Sequence, residues 1–105
     1  MQIIIKGIKG FEVFPENKDY LEKKFSKYED MIKEPSVLEF KFEHTHNTKA
    51  NLDKKITLTC TMPGLKQPEY LEEVSRHFTQ TIDLLDARFE EILRRYRDKM
   101  LDPRK

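Results

Sequence analysis

A stripe of apolar residues at helical spacing runs through the last third of this 105-residue chain. Its members follow one another at steps of three or four residues: Leu71, Val74, Phe78, Ile82, Leu85, Phe89, Leu93, Tyr96 and Met100. This spacing places them on one face of an α-helix, and that face must be covered to be shielded from water. The stripe therefore requires a partner layer, either elsewhere in the chain or in a second copy of it.

Two segments with alternating apolar residues are candidates for that partner layer. Their inward-facing members are Leu38, Phe40 and Phe42 in "SVLEFKFEH", and Ile56, Leu58, Cys60 and Met62 in "KKITLTCTM". Alternation with a period of two predicts half-buried β-strands. The polar stretch "THNTKANLD" between them predicts an antiparallel hairpin with a long tip, and Met62-Pro63-Gly64 predicts a closing turn.

The N-terminal third predicts one strand and one helix. The segment "MQIIIKG" is short and β-branched, and it predicts a first strand with an irregular continuation towards Val13. Phe14-Pro15-Glu16 marks a helix start, and we expect this helix to run to about residues 33–34, before Pro35. Its apolar stripe consists of Leu21, Phe25, Tyr28 and Ile32.

The stretch "LKQPEYLEEV" allows two interpretations. In the first, Pro68 opens one helix from about Glu69 to Met100, whose stripe exceeds what three strands cover and favours a homodimer through helix packing. In the second, a fourth strand at about 65–72 precedes a helix from about Ser75, which is a plausible N-cap. The second gives the order β-α-β-β-β-α, an α+β two-layer sandwich with two helices on one face of a four-stranded sheet.

Composition and charge narrow the function classes. The net charge is only +1, so a binding site for a polyanion must come from segregated charge. The single cysteine, Cys60, excludes an intramolecular disulfide and fits a reducing compartment. The start "MQIIIKGIKG" is too short for a signal-peptide core or a membrane span. We therefore expect one soluble, cytoplasmic domain covering residues 1–105.

Basic residues are segregated on both predicted helices. One flank of the first stripe carries Lys23, Lys24 and Lys27, and one flank of the last stripe carries Arg88, Arg95 and Lys99. Acidic residues occupy the opposite flanks, where Arg97 lies among them on the last helix. If the helices run side by side and antiparallel, the basic flanks face each other, and Lys49, Lys54 and Lys55 of the hairpin add to them. From periodicity alone, solvated helix faces remain the simpler interpretation.

No catalytic or metal-binding constellation stands out. His44 and His46 form an H-x-H pair near Glu43 and Asp53, but a third metal ligand at a suitable spacing is not evident. Cys60 alternates with core residues, which indicates a buried thiol rather than a nucleophile. The sequence has neither a glycine-rich phosphate loop nor G-x-S-x-G. We therefore expect no enzymatic activity, no cofactor and no metal.

The order of the segments resembles a known family. "MQIIIKG" followed by "FEVFPENKDYLEKKFSKYED" is similar to the opening of the ribosome hibernation-promoting factor family, which includes the ribosome-associated inhibitor A proteins. The helix core "KFSKYE" (residues 24–29) is similar to the family's K-[LF]-x-K-[LY]-E pattern. "VLEFKFEHTH" with "DKKITLTCTMPG" resembles its central hairpin, and "TIDLLDARFEEILRRYRDKM" resembles its last helix. The resemblance covers nearly the whole chain.

The resemblance implies a fold and a partner. It implies the β-α-β-β-β-α fold, and therefore favours the fourth strand over the long helix. It also implies binding to the small ribosomal subunit in the decoding channel, against 16S-type rRNA and channel-lining proteins, so that tRNA and mRNA are blocked. It carries an rRNA-binding role onto Lys24, Lys27, Arg88, Arg95, Arg97 and Lys99, while charge alone adds Lys23, Lys54 and Lys55.

The resemblance also shapes what we expect of assembly. Long members of the family carry a C-terminal dimerisation domain, so this chain resembles a short form without one. We expect a monomer away from the ribosome, with neither a membrane nor a small-molecule partner. Glu91 is a departure, because it stands where the family usually has arginine.

Overall fold

The computed structural model describes residues 1–45 and 52–101, and only the backbone for residues 99–101. In chain order its elements are β1 (Gln2–Gly7), α1 (Pro15–Phe25), a 3-10 segment (Ser26–Met31), β2 (Val37–His44), β3 (Lys54–Thr61), β4 (Glu69–Ser75) and α2 (Phe78–Leu101). The four strands form one sheet in the order β1-β2-β3-β4, with β1 parallel to β2 and the other pairs antiparallel. The predicted α+β two-layer sandwich is confirmed.

The ambiguous stretch before the last helix is a strand. Leu71 lies opposite Leu58 in the ladder between β3 and β4, so the interpretation of one helix from Glu69 to Met100 is wrong. The strand lies about four residues later than predicted, because Pro68, which has no N–H to donate to the ladder, directly precedes it. A fourth strand also gives the last helix enough sheet to cover its stripe, which removes the reason for expecting a dimer.

The turn from β4 into α2 is held by hydroxyl groups. Ser75 is the last residue of β4, and α2 begins at Phe78, so the predicted helix start near Ser75 was too early. The Ser75 hydroxyl accepts a hydrogen bond from the His77 backbone N–H at 3.3 Å and lies 2.6 Å from the hydroxyl of Thr81. Thr81 in turn donates to the Lys54 carbonyl at 2.7 Å, which ties the start of α2 to β3.

The first helix ends earlier than its apolar stripe suggests. Regular α-helix stops at Phe25, and the chain continues as the 3-10 segment as far as Met31. The predicted end at residues 33–34 was therefore too late. The step of three residues from Phe25 to Tyr28 fits both geometries, since a 3-10 turn repeats every three residues. Both side chains remain buried, so the change of helix type does not break the stripe.

The core lies between the helices and one face of the sheet. Phe25 of α1 is fully buried, with its ring centroid 4.9 Å from that of Phe40 on β2 and 5.7 Å from that of Phe89 on α2. One side chain thus joins both helices to the sheet, and burial of such a ring contributes about 2–3 kcal/mol. In residues 1–45 and 52–101, no helix has both the length and the apolarity needed to cross a bilayer.

Strand directions fix how the two helices lie. The ladders make β1 and β4 run in the same direction, and each is followed by a helix that returns along the same face of the sheet. Contacts confirm that α1 and α2 are parallel, because Tyr20 of α1 reaches Asp83, and Tyr28 in the 3-10 segment that continues α1 reaches Asp86. The antiparallel arrangement considered from the sequence is therefore wrong. In a parallel pair, the basic flank of α1 faces the acidic flank of α2.

Gly7 at the end of β1 has no space for a side chain, because a Cβ there would overlap the backbone carbonyl of Phe11. We expect Gly7→Ala to lower the free energy of unfolding by about 3 kcal/mol, since backbone must move to admit the methyl group. Gly10→Ala is the matched control: a Cβ there meets nothing within 4 Å, so only its positive φ of 81° costs stability, about 1 kcal/mol. Equal urea midpoints for the two variants would contradict this explanation.

Candidate nucleic-acid interface

Lys24 of α1 is paired across the helix interface. Its Nζ lies 3.1 Å from Oδ1 of Asp83 on α2, and the Tyr20 hydroxyl donates to the same oxygen at 2.7 Å. The hydrogen bond with Asp83 raises the pKa of Lys24 and that of Tyr20. Partial burial acts to raise the pKa of Asp83, but the bonds from Tyr20 and Lys24 outweigh it and lower that pKa. Lys24 is therefore paired with an acid of the same chain, at the solvent-accessible surface of the helix interface.

Asp86 forms a second, more buried connection between the helices. Lys27 Nζ lies 3.0 Å from its Oδ2, and the Tyr28 hydroxyl donates to its Oδ1 at 2.5 Å. Asp86 is only 8% exposed. Burial and the bond to Asp86 raise the pKa of Tyr28 far above its usual value, so the hydroxyl stays a neutral donor. Lys27 remains half-exposed at its tip, but it balances a buried carboxylate.

Arg88 bonds to the edge strand of the sheet, although about half of its side chain is exposed. Its Nη1 donates to Glu73 Oε2 at 2.7 Å and to the Glu72 carbonyl at 3.1 Å, both on β4. The flank of α2 that carries Arg88 thus faces the β4 edge, on the side of α2 away from α1. Arg95 on this flank is exposed, and the described part of the chain offers it no ion-pair partner. The side chain of Lys99 lies outside the described residues.

The hairpin lysines also have partners. Lys54 Nζ lies 2.8 Å from Asp53 Oδ1, and Lys55 Nζ lies 3.2 Å from Glu72 Oε1. The hydrogen bond with Glu72 raises the pKa of Lys55. Because consecutive strand residues point to opposite faces, these two lysines do not form one patch. Lys49 lies outside the described residues.

A cleft opens where the 3-10 segment and the C-terminal half of α2 lie side by side. It has a volume of about 510 Å³, and its lining residues are Lys27, Tyr28, Met31, Glu90, Leu93, Arg94, Arg97 and Asp98. The structure thus brings together Lys27 and Arg97 of the predicted site. It adds Arg94, which the sequence prediction missed; its spacing of three from Arg97 on one helix face was the available signal.

Among the predicted site residues, the charge still available for a ligand lies mainly at the C-terminal end of α2. Arg95 and Arg97 are exposed, and neither has an ion pair within the described residues. Arg94 lies 3.3 Å from Glu91, but both side chains are more than half exposed, and such pairs contribute little. On α1, Lys23 is exposed and is likewise without a partner in the part of the chain that the structure describes.

The residues considered for other chemistry have structural roles here. His44 Nε2 lies 2.9 Å from Asp53 Oδ2, and the described residues contain no group of three potential metal-binding side chains. His46 lies outside the described residues. Burial raises the pKa of Cys60 to about 12, so it stays a thiol, as its place in the strand pattern indicated.

Comparison with known proteins shows the same fold. No protein-family model matches the chain, and no curated protein matches its sequence. A ribosomal subunit interface protein from Coxiella burnetii superimposes with a TM-score of 0.73 at 22% identity, over 93% of this chain and 99% of that one. The N-terminal domain of Thermus thermophilus Protein Y gives 0.73 at 18% identity, over 91% and 99%. The fold that the sequence resemblance implied is thus present over nearly the whole chain.

Asp83 should make the protein less stable in acid. Its pKa is lower in the folded state than the ordinary 3.8, so its stabilising contribution is present above about pH 4 and is lost as the pH falls further. We expect Asp83→Asn to flatten the fall in Tm between about pH 4 and pH 2, measured by circular dichroism. Asp19→Asn is the control, because Asp19 is an exposed α1 carboxylate without an ion pair in the described structure. An equal flattening in both variants would refute the assignment to Asp83.

Proposed function

We propose that this chain binds the small ribosomal subunit in the cytoplasm and keeps it inactive by occupying the decoding channel. The observation that carries the proposal is the fold shared with a ribosomal subunit interface protein over 93% of the chain. The sequence resemblance to the hibernation-promoting factor family supports it independently. The mechanism is steric occlusion of tRNA and mRNA, and it needs neither a cofactor nor a chemical step.

The ion pairs of the two helices indicate which basic residues are most available to bind RNA phosphates. Arginines contact phosphate through two parallel N–H donors, and the exposed Arg95 and Arg97 are free to do so. Such contacts position a protein on rRNA, whose shape and backbone are then recognised more than its sequence. Lys23 contributes from α1. Lys24 and Lys27 contribute less to RNA binding, because each must first leave its carboxylate partner, Asp83 or Asp86, before it can contact a phosphate.

The role we propose for Arg88 differs from that of its helix neighbours. Its bonds to Glu73 and to the Glu72 carbonyl are internal, so replacing it would disturb β4 as well as any contact with RNA. A loss of binding in an Arg88 variant would therefore not separate the two effects. The informative substitutions are those at exposed cations whose side chains hold no other part of the structure.

We expect Arg95→Gln combined with Arg97→Gln to weaken cosedimentation with purified small subunits by at least about tenfold at about 100 mM salt. The reason is the loss of two phosphate contacts, which should also lower the slope of log affinity against log salt by up to about 2. Lys18→Gln with Lys66→Gln is the matched control, because it removes the same charge from exposed positions elsewhere. If both double variants bind equally, the proposed contact through the C-terminal end of α2 is wrong.

Occlusion requires a second measurement. Prebound protein should exclude mRNA and initiator tRNA from isolated small subunits, and the exclusion should be relieved by the arginine double variant. Binding without any exclusion would place the protein outside the decoding channel, while leaving ribosome association intact.

Glu91 tests the orientation of the last helix. It is 59% exposed at its side chain, and its described ion pair is the weak one with Arg94. We expect Glu91→Arg to strengthen small-subunit binding several-fold, because it replaces repulsion of phosphate with attraction on the flank that carries Arg95. Glu22→Arg, an equal charge change at an exposed site on α1, serves as control. A gain of the same size in both would mean that only net charge matters.

A further inference from the structure

The groove between the helices is closed at one end and open at the other. Towards the start of α2 it is closed by the bonds from Tyr20 and Lys24 to Asp83, and from Lys27 and Tyr28 to Asp86. Beyond Asp86 it widens into the cleft of about 510 Å³ described above. A volume of this size lies within the range of small-ligand pockets. The cleft thus begins where the ion-paired part of the groove ends, and Lys27 and Tyr28 belong to both.

One wall of the cleft is apolar. Met31 at the end of the 3-10 segment is 42% exposed although it is large and hydrophobic, and it forms most of this wall, since the other apolar lining residues, Tyr28 and Leu93, are each only 2% exposed. The core position at this end of the stripe is filled by the neighbouring residue Ile32, which is buried, so Met31 is not needed to complete the core. Thioether and aliphatic groups of this kind suit the face of a flat, polarisable ring.

The remaining walls carry both signs of charge. Arg94, Arg97 and Lys27 supply cations, while Glu90 and Asp98 supply carboxylates. Within the described residues, neither carboxylate has an ion pair or a hydrogen bond of its side chain. A simple inorganic anion would leave the apolar wall and the carboxylates unused, and an acidic peptide would be repelled by them. A flat ring with N–H donors joined to a phosphate uses the apolar wall, the cations and the carboxylates together.

We infer that this cleft accepts one unstacked nucleotide of an RNA strand, with guanine as the favoured base. The ring lies against Met31, and the phosphate lies on Arg94 or Arg97. Guanine is favoured because its Watson–Crick edge presents two adjacent N–H donors, which one carboxylate can accept together, and we assign that role to Glu90. This inference rests on the proposed function, since it names the part of the RNA that the chain holds.

The first test uses mononucleotides as probes of the intact chain. In titrations followed by amide NMR, GMP should shift the resonances of residues 27–31 and 90–98, and CMP or inorganic phosphate should shift them at least about fivefold less at equal concentration. Equal responses to all three would overturn the inference, because they would report general attraction to anions. An absence of shifts at about 10 mM GMP, a concentration high enough to detect a Kd in the millimolar range, would overturn it as well.

The second test separates an RNA strand from a free nucleotide. The oligoribonucleotide UUGUU should bind at least about tenfold more tightly than GMP and shift the same residues, because flanking phosphates add contacts. Binding no tighter than that of GMP would overturn the assignment to RNA. UUCUU should bind more weakly than UUGUU, and equal affinities would refute the preference for guanine.

The third test asks whether Glu90 contacts the base, and it compares one variant with a control. Glu90→Gln should lower the preference for UUGUU over UUCUU by at least about fivefold, the lower end for a bidentate base contact, while leaving the thermal transition nearly unchanged. Glu22→Gln is the control. Small-subunit cosedimentation is measured in parallel. If the Glu90→Gln variant prefers UUGUU as strongly as the wild type does, this inference is wrong, whether or not the variant still binds the ribosome. Failure of the wild-type chain to cosediment, with its response to GMP retained, would remove the proposed function alone.

Discussion

The parallel course of the two helices determines how charge is distributed over this protein. Two helices that lie side by side in the same direction on one sheet face present unlike flanks to each other. The lysines of α1 therefore meet Asp83 and Asp86 of α2 instead of the arginines on its far flank. This pairing stabilises the helix layer and at the same time removes cations from the surface that could contact RNA.

A chain with a net charge of only +1 can still bind a polyanion if its cations are concentrated where a ligand can reach them. Internal pairing contributes to that here, because Asp83 and Asp86 balance lysines in the groove, and Glu72 and Glu73 of β4 pair with Lys55 and Arg88. What remains is an arginine-rich end of α2, where Arg94, Arg95 and Arg97 lie within one turn. Cations near a helix C-terminus also interact favourably with the partial negative charge of the helix end.

The sequence predicted the elements well, because their signals are local. Alternation in β2 and β3 and the stripes of α1 and α2 depend on neighbours within a few residues. These elements lie close to the expected positions, except that α1 ends at Phe25 instead of residues 33–34. Helix direction depends instead on the order of four strands, and the segment that decides it, β4, has a weak pattern interrupted by Glu72 and Glu73. The partners of Lys24, Lys27 and Arg88 lie between 15 and 59 residues away in the chain, so periodicity could not identify them.

The two carboxylates that bridge the helices, Asp83 and Asp86, differ in burial, and this difference decides how easily their lysine partners can leave them. The side chain of Asp83 is 48% exposed, so water can solvate it when Lys24 leaves, and Lys24 can move to a phosphate at low cost. Asp86 is buried, so the departure of Lys27 would leave its charge supported by the Tyr28 hydroxyl alone. Removing one partner of a buried charge is costly. In the proposed complex, Lys24 therefore supplies a reserve cation for RNA, whereas Lys27 is held beside the cleft by Asp86.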